Sequence, residues 1–284
     1  VSGALWGLLC ALSFGIADLI AGRSGRAIGA KNALLATFVV GALLLSLWLA
    51  VVPPATDWPR QSLWLLGGHG LATTVAILLL YWGLARGPMS VVAPIVAVHP
   101  ALVVAWLYLA GEAPTALQWL AMAAAILGAV VVGAAGERAA GRDRRHLAGS
   151  IAVAVVACLA YAVWAVIGQA AGRAYGPDAA LWATRLVSLG SILVLFALAR
   201  ERPRLPRPWW PWLAAQGVLD SAGIFFFYGG GRTEDPAVAA VVASTFGAVT
   251  TLLAWALFRE RVIALQWAGI VLVFASVAVL AGQG

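Results

Sequence analysis

Asp18, Arg185 and Asp220 are the residues whose chemistry is hardest to explain as surface decoration. Each lies inside a long apolar run, while the remaining basic and acidic residues fall between such runs. If a run crosses a bilayer, a charge near its centre costs about 2.5–3.5 kcal/mol on insertion scales, which makes each one a functional candidate. Asp220 is the most central and suits a proton site or a binder for an amine. The plainer reading is a hydrogen bond to a neighbouring helix. Asp18 is nearer the end of its run, where it can reach water. Arg185 is one turn inside its run and is expected to snorkel to the interface, a structural role.

Neutral polar and aromatic residues extend the set. His69 and Thr73 are four apart, hence on one helix face, and so are Gln216 and Asp220. His99 precedes Pro100, with Pro94 upstream. Each proline removes a backbone hydrogen bond and frees a carbonyl, so a kink over 94–100 is expected. Such a kink is tolerated where protein or a water-filled cavity satisfies the freed group. Tyr161 and Trp164 lie too deep for interfacial anchors. With Phe14, Tyr81 and Phe227 they form an amphipathic wall able to stack on apolar side chains, and Thr245 adds a polar contact. Taken singly, each aromatic reads as ordinary packing. Gly229–Gly231 reads as a loosened helix end. The sequence has no paired cysteines, zinc spacing or nucleotide-binding signature, so no cofactor and no metal are expected.

The elements that must position these residues follow from composition. The chain has 284 residues, 63% hydrophobic and 10% charged. Soluble domains carry about 25% charged residues, so this chain cannot cover a water-facing surface. Ten apolar runs are legible, at 3–21, 33–52, 63–84, 89–110, 117–136, 147–171, 180–199, 210–231, 237–258 and 265–282. Each is near the roughly 20 residues a helix needs to cross hydrocarbon. The runs do not alternate as barrel strands would. The expected class is an all-α integral membrane protein. Cys10 and Cys158 lie within runs, which argues against a structural disulfide. The net charge of +7 resides in loops and does not imply nucleic acid.

The chain also repeats itself with an offset of 146 to 148. Gly25-Arg26-Ala27 matches Gly172-Arg173-Ala174, Ala36-Thr37 matches Ala183-Thr184, Gly70 matches Gly217, and Tyr81 matches Tyr228. Gly111-Glu112 then Leu117-Gln118-Trp119 matches Arg259-Glu260 then Leu265-Gln266-Trp267. The expected organisation is a five-helix repeat at 1–136, a linker at 137–148 and a second repeat at 149–284. Five is odd, so the second repeat enters inverted, a transporter plan with its site between repeats near the midplane. Loops after odd runs hold fourteen Lys and Arg, and loops after even runs hold three: Arg60, Arg173 and Arg232. The bias places the odd loops in the cytoplasm and both termini outside. Trp58, Trp64, Trp119, Trp209, Trp210, Trp212 and Trp267 fall near run ends, as interfacial anchors should.

Two five-span halves, each closing on a Glu turn and Leu-Gln-Trp at Glu112–Trp119 and Glu260–Trp267, resemble the EamA-type drug/metabolite transporter superfamily. The overall layout and aromatic-rich helices are most similar to its amino-acid exporters, the aromatic amino-acid group included. The resemblance implies a basket whose spans 1, 3, 4, 6, 8 and 9 line a cavity, with spans 5 and 10 peripheral. Many relatives are described with cytoplasmic termini, whereas the loop arginines here argue the reverse. The expectation is a secondary transporter or facilitator in a bacterial inner membrane, exporting amino acids or related metabolites. Alternatives are a cationic-drug, sugar or nucleotide-sugar carrier, or an intramembrane enzyme, for which no clustered nucleophile, acid and base is legible. Expected partners are a small-molecule substrate, the lipid bilayer and protons, with a monomer sufficient. The expected substrate-binding residues are Phe14, His69, Thr73, Tyr81, His99, Tyr161, Trp164, Asp220, Phe227 and Thr245.

Overall fold

The computed structural model describes residues 2–53, 58–109, 111, 114–140, 144–230, 233 and 236–282. Among them are twelve α-helices and no strand: α1 Gly3–Ile28, α2 Ala30–Val51, α3 Leu63–Arg86, α4 Met89–Val96, α5 His99–Leu109, α6 Ala116–Ala140, α7 Arg144–Tyr175, α8 Pro177–Leu198, α9 Trp210–Gly230, α10 Pro236–Ala243, α11 Phe246–Phe258 and α12 Ala264–Gly282. They make ten spans, because α4–α5 and α10–α11 are each one span broken once. Eight stretches among the described residues are long and apolar enough to cross a membrane. Helices are required here because backbone amides in hydrocarbon must be paired within the segment. α6 and α7 also run into the expected linker from both sides, leaving 141–143 between them.

The break in the fourth span falls at Ala97–Val98, and the repeat places an equivalent break at Ser244–Thr245. Both are single tight turns. Val98 and Ala101 donate back three residues, to Ile95 and Val98, at 3.3 and 2.9 Å. Thr245 and Ala248 do the same, to Val242 and Thr245, at 3.1 and 2.8 Å. Pro100 has no N–H for the Val96 carbonyl, and His99 Nδ1 donates to it instead at 3.1 Å. At the equivalent positions of the second repeat, Val241 and Gly247, no proline is present. There the Thr245 hydroxyl donates to the Val242 carbonyl at 2.7 Å, a local bond that competes with helix continuation.

The repeats interlock by exchanging neighbours. Gly70 on α3 lies so close to α8 that a Cβ would meet Val187 at 2.5 Å. Its equivalent, Gly217 on α9, meets Val40 on α2 at the same 2.5 Å. Val40 and Val187 are themselves equivalent, so each repeat lays its third span on the second span of the other. Small residues at such crossings let backbones approach where no hydrophobic effect drives helices together. The α1–α2 and α7–α8 corners turn on Gly29 and Gly176, at φ 89° and 76°, a region L side chains avoid. Gly229 and Gly230 are the last two residues of α9, where Trp6 fills the space a Cβ at Gly229 would need, and Gly231 lies outside the described residues.

The Glu turn has a physical role across the repeats. Both Glu260 carboxylate oxygens accept backbone N–H groups at the start of α4, from Met89 at 2.9 Å and Ser90 at 3.0 Å. Those amides have no partner within their own helix. Gln266 Nε2 then donates at 3.3 Å to the Ser90 carbonyl, which Pro94 cannot satisfy. One motif of the second repeat therefore holds both ends of the first turn of α4. Glu112 lies outside the described residues, as do Arg142 and Arg232. Glu260→Ala is expected to lower stability by about 1–3 kcal/mol through two stranded amides. Glu201→Ala, which removes an exposed pair with Lys31, should cost less than about 1 kcal/mol. Thermal unfolding of the detergent-solubilised protein, monitored by size-exclusion, distinguishes the two.

Candidate functional site

The polar centre is built on equivalent positions. His69 on α3 bonds Thr184 on α8 at 3.0 Å. Its equivalent, Gln216 on α9, donates to Thr37 on α2 at 2.8 Å and accepts from Ser24 at 2.8 Å. Thr37 and Thr184 are also equivalent, so one polar crossing occurs twice. One residue further along come Phe38 and Arg185, and here the equivalents touch each other: the guanidinium sits 5.4 Å from the Phe38 ring centroid. Two residues exchanged by a pseudo-twofold axis can meet only close to that axis. Arg185 therefore stands at the centre of the repeat interface.

That placement corrects the snorkelling expected of Arg185. Its side chain is buried, with the whole residue 2% exposed, and its Nη2 donates to Asp220 Oδ2 at 2.7 Å. Asp220 is 7% exposed. Asp18 on α1, 8% exposed, completes the charged group. The Thr250 hydroxyl of α11 and the Asp220 carboxylate lie beside it. The Tyr161 hydroxyl on α7 is within electrostatic reach of Asp18, Tyr81, Asp220 and Arg185. Five helices (α1, α3, α7, α8 and α9) thus bring ionisable or phenolic groups to one place.

An aromatic chain leads outward from it. The His69 ring lies 5.8 Å from Trp164, Trp164 lies 5.6 Å from Tyr161, and Tyr161 lies 5.5 Å from His99 at the α4–α5 break. The repeat supplies a counterpart to the last pair: Phe14, equivalent to Tyr161, lies 6.0 Å from Phe246, equivalent to His99, at the α10–α11 break. Gly168 makes room for this chain, since a Cβ there would lie 2.6 Å from His69 Nε2.

Of the sequence candidates, His69, Tyr81, Tyr161, Trp164 and Asp220 meet at the centre, and His99 and Phe14 sit where it meets the breaks. Thr73 is buried with its hydroxyl turned back to the His69 carbonyl at 2.7 Å. Thr245 likewise spends its hydroxyl on the break. Phe227 is 48% exposed and stands two turns beyond Asp220, roughly 10 Å along the axis. Missed at the sequence level were Thr184, Thr37 and Ser24, whose signal was their place opposite His69 and Gln216. Two cavities border other regions. One, about 420 Å³, is lined by Arg26, Arg86, Arg261 and Glu260 at the start of α4. The other, about 440 Å³, is an apolar groove between α4–α5, α6 and α7. Neither is lined by Arg185 or Asp220, which are both buried. Among the described residues no group of three or more His, Cys, Asp or Glu could hold a metal ion.

A bundle of apolar helices in two interlocked repeats, with a charged centre between them, defines a multi-span membrane transporter architecture. The chain belongs to the EamA-like transporter family, which matches it twice, over residues 1–134 and 148–282. No curated protein matches it. Among solved structures, one described only as a crystal structure of a protein superposes with a TM-score of 0.68 at 17% identity, covering 98% of this chain and 95% of that one. Likeness at that identity shows the shared fold alone.

Asp220→Ala should destabilise the protein by about 3–5 kcal/mol, because it strands a buried guanidinium. Asp18→Asn strands no cation and should cost clearly less. Thermal melts of the two purified variants measure the difference, and equal losses would place the stabilising pair elsewhere.

Proposed function

We propose that the protein is a secondary transporter or facilitator that exports amino acids or related small metabolites by alternating access. The observation that carries this reading is the ion pair at the pseudo-twofold axis. Transporters built from inverted repeats bind substrate near the midplane at the repeat interface, and this pair stands where the two repeats meet. The aromatic chain beside it offers apolar area for a side chain. Exchange would proceed as the repeats rock about the centre, exposing it to one face at a time. Among the described residues, no nucleophile, acid and base converge there in the manner of an enzyme site. Protons are the proposed coupling ion. A second reading, export of cationic drugs, draws support from the two carboxylates set against one arginine. The proposed location is a bacterial inner membrane, with the odd loops cytoplasmic and both termini outside.

Reconstitution into liposomes, with a panel of amino acids, sugars and organic cations and with or without a pH gradient, tests the function. Amino-acid flux above that of protein-free liposomes is expected, and flux of sugars or cations alone would replace the substrate class. In the same assay Trp164→Ala should weaken apparent affinity about two- to tenfold while leaving the melting temperature near wild type. Loss of yield and melting temperature with normal transport by the surviving fraction would make Trp164 a packing residue.

Orientation is tested by single cysteines on a background with Cys10 and Cys158 replaced by Ala. A cysteine near Arg60 should label from the exterior of intact cells, and one at 142–145 should not. The reverse pattern overturns the orientation.

A further inference from the structure

Two buried nitrogens at the centre, a guanidinium donor and an imidazole nitrogen that is a donor in one tautomer, have no partner. Arg185 Nη1 and His69 Nε2 are sealed from solvent and lack a hydrogen-bond partner. Folded proteins leave few such groups, and each asks for an explanation. A stranded donor costs about 1–3 kcal/mol, more when charged. The Arg185 charge is within electrostatic reach of His69. His69 Nδ1 is tied to Thr184, the residue before Arg185, across the close α3–α8 crossing at Gly70. In the tautomer in which Thr184 donates to Nδ1, Nε2 carries its hydrogen. The guanidinium spends Nη2 on Asp220 and rests one face on Phe38, which leaves its other arm uncommitted.

We propose that Arg185 and His69 form the seat for a carboxylate of the transported molecule, and that Asp18 faces its ammonium group. The site would then recognise an α-amino acid by its backbone. This inference rests on the amino-acid reading above and assigns its binding groups. An arginine fork is suited to a carboxylate, and a charge-assisted bond there is roughly twice as strong as a neutral one. Asp18 supplies the other end. Among the described residues, the groups beside Asp18 are Asp220 of α9, Thr250 of α11 and Tyr81 of α3, with Tyr161 of α7 within electrostatic reach. None of these is a cation, and Arg185 is already engaged by Asp220.

The charge balance separates three ligand classes. A lone carboxylate would bring a third negative charge to a centre with one arginine. A lone amine would pair with Asp18 but leave both donors empty. A zwitterion fills the donors and pairs with Asp18 without changing the total charge.

The test is isothermal titration of the full chain in nanodiscs with two trios of probes. One is L-phenylalanine, phenethylamine and 3-phenylpropionate. The other is L-leucine, 3-methylbutylamine and 4-methylpentanoate. In at least one trio the amino acid should bind about ten- to hundredfold more tightly than its amine, and the acid more weakly than the amino acid. In Arg185→Gln/Asp220→Asn, which removes both charges together and strands neither, the amino-acid-to-amine ratio should fall close to one. His69→Phe, which keeps a ring against Trp164, should lower it partway. Amines binding as tightly as amino acids in wild type, or a wild-type ratio in either folded variant, overturns the seat while leaving a cation transporter standing. Binding by no member of either trio removes the amino-acid reading and the seat with it.

Discussion

Inside hydrocarbon there is no water to rescue a polar group, and this constraint organises the whole molecule. Breaking a helix there exposes amides and carbonyls that only the protein can satisfy. The chain answers each break with a side chain. Glu260 takes the first amides of α4, Gln266 takes the carbonyl that Pro94 leaves, His99 takes the one that Pro100 leaves, and Thr245 serves the α10–α11 turn. Two of these four reach across from the second repeat to the first. Satisfying the backbone and fastening the repeats together are therefore one interaction, and the Glu–Leu-Gln-Trp signature is its sequence trace.

The scaffold is symmetric and the chemistry is not. Gly70 and Gly217, Val40 and Val187, Thr37 and Thr184 all keep their types across the repeat. The three membrane charges do not: Arg185 faces Phe38 at the equivalent position, Asp220 stands opposite Thr73, and Asp18 opposite Ala165. The geometry explains the first of these. Equivalent residues at the axis touch, so arginine at both positions would press two like charges together in low dielectric. At about 4 Å such a pair repels by several kcal/mol even at a protein-like effective dielectric. Phenylalanine instead offers a π face to the cation. A symmetric fold can hold a charge on its axis only by breaking its own symmetry there.

Much of this was legible beforehand because periodicity and spacing record it. Ten apolar runs, the repeat offset and the shared polar face of spans 3 and 8 follow from residue type along one dimension. The Arg185–Asp220 pair did not, because depth along a run says nothing about rotation or about which helix lies opposite. One turn from a run's end, Arg185 reads as an interfacial residue. In the fold its helix packs against α3 and α2, and the guanidinium turns inward toward Asp220. The second helix break was hidden for another reason. Proline marks the first, whereas Thr245 makes the second by a local hydrogen bond whose residues also occur in unbroken helices.

The positions of the breaks tie backbone to centre. Tyr161 lies within electrostatic reach of the charged cluster and packs its ring on His99, and Phe14 packs on Phe246 at the other break. A straight span could shift only as a rigid rod. A span broken at its middle lets the half on one side of the membrane move while the other stays packed. Glu260 fastens the near half of the fourth span to the second repeat, so motion at that break is referred to the opposite repeat rather than to lipid. In the proposed cycle, a ligand that draws Asp18, Arg185 and Tyr161 together would be felt first at the two breaks. Because the breaks are equivalents on opposite sides of the axis, closing at one face and opening at the other become the same rearrangement seen from two ends.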